Sequence, residues 1–86
     1  AGGARPEIDI GSTEGLTPPL WVDALTQHFR ESGYKVGHNT PYVGVIDAGA
    51  SAAVMIEIRR DIVGQPGADP KWLRLISALS TMPIEV

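Results

Sequence analysis

The chain has 86 residues, a size that buries about 60–65% of the surface its unfolded form exposes, so it makes one small domain or a fragment of a larger one. With 43% hydrophobic and 20% charged residues its composition is that of ordinary globular proteins, no apolar run is long enough to span a bilayer, and the absence of cysteine excludes disulfides and thiolate metal sites. A net charge of −3, with no basic cluster beyond Arg59-Arg60, speaks against nucleic acid or an anionic membrane as partner, and with no leader-like segment at its start the chain is expected to be cytoplasmic.

Residues 1–4, Ala-Gly-Gly-Ala, read as linker. In "RPEIDIGS" (5–12), Ile8 and Ile10 alternate with acids before Gly11-Ser12, the pattern of a short strand closed by a turn. The next stretch, "LTPPLWVDALTQHFRESG", predicts a helix over 18–32. Thr17 would be its N-cap, Pro18 its first residue, Gly33 the residue past its end, and Trp21, Leu25, His28 and Phe29 its apolar stripe. "YKVGHN" (34–39) follows as a second strand, so 5–39 form a β-α-β unit with a parallel pair. Turn chemistry marks 40–44 and small residues mark 47–52. "AVMIEIRRDIV" (53–63) reads as a long, central strand. After a Pro/Gly-rich loop, Asp69 caps a second helix over 70–81, with Trp72, Leu75, Ile76 and Leu79 as its stripe and Pro83 as its stop. The expected fold is α/β, a small mixed sheet with two packed helices.

Glu57 is the residue that calls for explanation, because it lies between Ile56 and Ile58 and an unpaired buried charge costs several kcal/mol. Alternation places Val54, Ile56 and Ile58 on one face of the strand and Met55, Glu57 and Arg59 on the other. Glu57 is then either a solvated or Arg59-paired side chain near a sheet edge or end, or a general acid or base at the C-terminal end of a central strand, where open α/β sheets place their ligands.

The string "FRESGYKVGHNTPYVG", followed by "AVMIEIRRDI", resembles the C-terminal part of the N-formylglutamate amidohydrolase family, and "RPEIDIGS" and "TPPLWVDALTQHF" fit the same pattern, so that the likeness covers about residues 5–80. The resemblance implies a zinc-dependent amide hydrolase acting on small N-acyl amino acids such as N-formylglutamate, on a fold similar to that of zinc carboxypeptidases. It makes Glu57 the glutamate that activates the attacking water. It also places Asn39 and Tyr42 on a loop facing the active site and offers Arg59 or Arg60 for the substrate's carboxylate. The family's zinc ligands, in a Pro-His-Ser-Gly-like motif and further downstream residues, have no counterpart here. His28 and His38 lie on different elements without metal-binding spacing, and each reads as a packed or hydrogen-bonded histidine. The resemblance therefore implies a C-terminal portion that is inactive alone and is completed by a metal-binding half or second chain. A non-catalytic remnant or protein-interaction module on the same scaffold is the other reading.

Overall fold

The structure, a computed structural model, describes residues 5–39 and 52–83. Three strands form a mixed sheet in the order β2-β1-β3. They are β1 (Ile8–Gly11), β2 (Val36–His38) and β3 (Met55–Ile58). The helices α1 (Pro19–Glu31) and α2 (Pro70–Ser80) complete it, with one 3₁₀ turn at Arg60–Ile62. The β1-α1-β2 unit has the expected parallel pairing, Ile8 opposite Val36 and Ile10 opposite His38. β3 runs antiparallel to β1 on the other side, with Ile58, Glu57, Ile56 and Met55 opposite Ile8, Asp9, Ile10 and Gly11.

The 53–63 run differs from its expected form in two ways. Among the described residues it is an edge strand, not a central one; the centre belongs to β1, whose four residues are all buried. It is also only four residues long. At Arg60 the backbone turns, with Ile62 N–H donating to Arg59 O and Val63 N–H to Arg60 O, both at 3.2 Å. The turn carries Ile62 into the core, a burial that a continued edge strand would forgo.

Helix α1 begins one residue later than the capping pattern suggests. Pro19 bars Pro18 from helical backbone, so Pro18, at φ −58° and ψ 129°, takes the cap position without a side-chain hydrogen bond. Thr17 is not the cap. Its hydroxyl donates to Ala53 O at 2.6 Å and accepts from Thr13 N–H at 3.0 Å, tying the β1–α1 loop to the start of β3. The far end follows expectation: Gly33, at φ +93°, ends the helix in left-handed backbone, and Tyr34 N–H returns to Phe29 O at 3.0 Å. Arg74 of α2 donates to Ser32 O through Nη2 at 2.9 Å and Nε at 3.2 Å, so one helix satisfies an end carbonyl of the other.

One core cluster holds Ile8, Ile10, Leu25, Phe29, Tyr34, Ile62, Leu75 and Ala78, with Val54, Ile56 and Ile58 packed against it. Both helices thus serve the isoleucine face of the sheet. In α1 the expected stripe narrows to Leu25 and Phe29, while Trp21 and His28 are half-buried. His28 Nε2–H donates to Ala78 O at 2.8 Å, the hydrogen-bonded role expected for it. In α2, Ile76 is 41% exposed and Ala78 takes its place in the core. Position 78 lies three residues beyond Leu75 on the same face, whereas 76 is rotated about 100° away from it.

These contacts set two expectations. Leu25→Ala should cost about 2–5 kcal/mol in urea unfolding, a large part of what so small a domain has, whereas Leu20→Ala, at a side chain 78% exposed, should change stability by less than about 0.5 kcal/mol. The second concerns the α2 cap. Asp69 accepts from Gln65 N–H and Lys71 N–H, both at 2.9 Å, and these bonds hold its carboxyl below the usual aspartate range. A lowered folded-state value makes its contribution full above the unfolded value and lost as pH falls through the folded one. Asp69→Asn should therefore flatten the acid limb of a stability-against-pH curve while leaving stability at neutral pH less altered than Asp69→Ala does.

Candidate functional site

The sheet has two faces, and the candidate groups divide between them. On the helix side, beyond the C-terminal ends of the parallel strands β1 and β2, an open groove of about 610 Å³ is lined by Ser12, Thr13, Glu14, Thr17, Pro19, Val22, Asp23, His38 and Asn39. This is where parallel α/β units place ligands. β1 delivers Ser12 and β2 delivers His38 and Asn39. Asn39 N–H extends the ladder to Ile10 O at 2.9 Å, which fixes the register of the two strand ends. Asn39 has a φ of 51°, a left-handed backbone that asparagine tolerates better than most residues. Its side chain brackets Ser12: Oδ1 accepts from Ser12 N–H at 2.9 Å, and Nδ2 reaches Ser12 O at 3.3 Å and Ser12 Oγ at 3.4 Å. Ser12 Oγ and His38 Nε2 are 2.5 Å apart.

On the opposite face, Asp9 of β1 stands directly across from Glu57 of β3. Side chains of directly opposed residues leave the backbone about 4.5–5.5 Å apart at Cβ, and like charges so placed repel. Asp9 is only 2% exposed and Glu57 is half-buried. Both line a cavity of about 30 Å³ together with Arg5, Pro6, Ile58 and Arg59, so two arginines border the two acids. Arg59 is largely engaged elsewhere: Nε donates to Asp61 Oδ1 at 2.5 Å, Nη2 to Asp61 Oδ2 at 2.9 Å and Nη1 to Arg5 O at 2.7 Å. The hydrogen bond to Arg59 holds the Asp61 carboxyl below its ordinary value.

Of the residues singled out in the sequence, Glu57 and Arg59 therefore meet at one small cavity, as alternation along β3 suggested. Asn39 lies in the helix-side groove, whose lining includes neither of them. Arg60 is exposed on the 3₁₀ turn, and Tyr42 lies outside the described residues. Three further residues line these cavities, Asp9, Ser12 and His38, the last read in the sequence only as a packed or hydrogen-bonded histidine. Asp9 reads in the sequence as the solvated half of an alternating strand, and only the central position of β1 buries it. Ser12 and His38 are 26 residues apart, and nothing local marks them as neighbours.

Among the described residues no group of three or more His, Cys, Asp or Glu side chains could hold a metal ion, so these residues by themselves do not fit a zinc site. No described helix is long and apolar enough to cross a membrane.

No family model and no curated protein matches the chain. Among solved structures, N-formylglutamate amidohydrolase from Ralstonia eutropha JMP134 matches over 72% of this chain, with a TM-score of 0.58 and 31% sequence identity. The chain resembles an N-formylglutamate amidohydrolase. It spans about a quarter of that protein's length, the match covering 25% of it. The likeness that the motifs suggested is thus one of three-dimensional structure as well as of sequence.

The bracket around Ser12 gives an expectation. Asn39→Gly takes the left-handed backbone without strain and loses only the side-chain bonds, whereas Asn39→Ala loses the same bonds and holds a Cβ in left-handed backbone at a further cost of about 1 kcal/mol. In thermal or urea unfolding the alanine variant should be the less stable of the two.

Proposed function

We propose that this chain is part of an amidohydrolase that cleaves N-formyl or N-acyl amino acids such as N-formylglutamate, with Glu57 as its general base. The observation that carries the reading is the structural likeness to N-formylglutamate amidohydrolase at 31% identity. In support, Glu57 stands directly across the sheet from the buried Asp9, and the two line one small cavity together with Arg5 and Arg59.

In this reading Glu57 takes a proton from the water that attacks the scissile carbonyl. The collapse of the tetrahedral adduct returns that proton to the leaving amine, giving the free amino acid and the carboxylic acid. Arg59, which lines the cavity beside Glu57 but is bound to Asp61, and Arg60, exposed where the strand ends in the 3₁₀ turn, are the two candidates for the substrate's carboxylate. Asn39 and Tyr42 are the remaining substrate-binding candidates. Zinc enters by resemblance only; its ligands, and the fold similar to zinc carboxypeptidases that would hold them, belong to chain beyond the described residues or to a second chain. The cavity beside Glu57 holds about one water molecule, so the acyl amino acid also needs that further chain to enclose it.

The test is Glu57→Gln in the polypeptide that carries this segment together with its metal-binding residues, assayed on N-formylglutamate. Turnover should fall by about 10²–10⁴ with KM little changed and the melting temperature close to that of the parent. Unchanged turnover with a shifted melting temperature would make Glu57 a structural residue and leave the scaffold a non-catalytic interaction module.

A further inference from the structure

The groove on the helix side holds two groups, Ser12 and His38, to which the Glu57 reading gives no part. Ser12 Oγ lies 2.5 Å from His38 Nε2, a nucleophile and base in direct hydrogen-bond contact at the rim of the larger cavity. Neither is placed by chance of a floppy loop: both sit on strand ends whose register is held by the Asn39 N–H bond to Ile10 O, and the Ser12 backbone is pinned from both sides by the Asn39 amide. That amide also donates through Nδ2 toward Ser12 Oγ at 3.4 Å, which fixes the hydroxyl as well as the backbone of Ser12. Pro19 and Val22 give the groove an apolar wall, while Glu14 and Asp23 line it with carboxylates.

We propose that Ser12 and His38 form a second reactive site, an acyl-accepting serine that hydrolyses small esters whose acyl and alcohol parts are neutral or cationic. Ser12 Oγ bonds to the ester carbonyl carbon as its proton passes to His38 Nε2. The carbon–oxygen bond to the alcohol then breaks, and the imidazolium proton goes to the departing oxygen. Water, deprotonated by the same imidazole, attacks the acyl-serine, the bond from the acyl carbon to Ser12 Oγ breaks, and the imidazolium proton returns to Oγ as the carboxylic acid leaves. The apolar wall takes the acyl chain. The carboxylates of Glu14 and Asp23 turn away anionic esters, which separates this site from one that binds acidic N-acyl amino acids. Esters rather than amides are its class because an alcohol or phenol departs with far less help from an acid than an amine does.

The polypeptide that carries this segment, with the further chain proposed to complete it, is the material for the test, and an uncharged alkyl fluorophosphonate is the probe. Intact-mass measurement and peptide mapping should find one adduct per chain, on Ser12, and none in Ser12→Ala. His38→Ala should label at least about 100-fold more slowly. His38→Asn is the second variant: it keeps a polar group beside Ser12 but takes up no proton, so it should be as slow as alanine while circular dichroism matches the parent. Turnover of p-nitrophenyl acetate should follow the same order. An adduct away from Ser12, no adduct at all, or a His38→Asn chain that labels as fast as the parent would overturn the proposal.

Discussion

The burial of β1 between two partners is the constraint on which the rest of the structure depends. Ile8 and Ile10 are completely enclosed, and each is paired in register with β2 on one side and β3 on the other. A slip of one residue in either pairing would move both isoleucines to the far face and bring Asp9 under the helices, an exchange of several kcal/mol in the wrong direction. Both helices are therefore confined to one side of the sheet. The positions of Ser12, His38, Asp9 and Glu57 follow from the same register.

Much of the local architecture is set by residues that limit the backbone. The Pro18-Pro19 pair decides the start of α1 more strongly than the neighbouring threonine, because a proline restricts the residue before it whatever side chain stands ready to cap. Gly33 then lets the chain reverse closely enough for Arg74 to reach Ser32 O; a Cβ at that position would lie 2.3 Å from Arg74 Nη2. Arg74 also stacks 4.3 Å above the Tyr34 ring, so one side chain joins the end of α1, the start of β2 and the outer helix.

The sheet also separates two kinds of chemistry. The face turned away from the described helices carries the opposed acids Asp9 and Glu57, bordered by Arg5 and Arg59, while the strand ends on the helix side carry a hydroxyl, an imidazole and an amide around an open groove. The first arrangement is the one on which the proposed amide hydrolysis rests. The second depends only on how β1 and β2 end, and no acid of the β1–β3 pair lines it.

The existence and order of both helices, the parallel β1-α1-β2 unit, the Asp69 cap and the face on which Glu57 lies were legible in the sequence by itself, because each rests on side-chain period or on the backbone habits of proline and glycine. The family likeness was legible too, since it rests on several short motifs in order. Tertiary structure decided what depends on neighbours distant in the chain. The apolar run at 53–63 has the composition of a central strand, yet β1 takes that place because it alone buries both faces, and the run turns at Arg60 to sink Ile62. Ile76 yields to Ala78 because helix phase against the core, not hydrophobicity, selects what is buried. The acid pair and the Ser12–His38 contact join residues 48 and 26 positions apart, respectively, and although alternation fixes which face each takes, only the assembled sheet decides which strands are neighbours and so which residues meet.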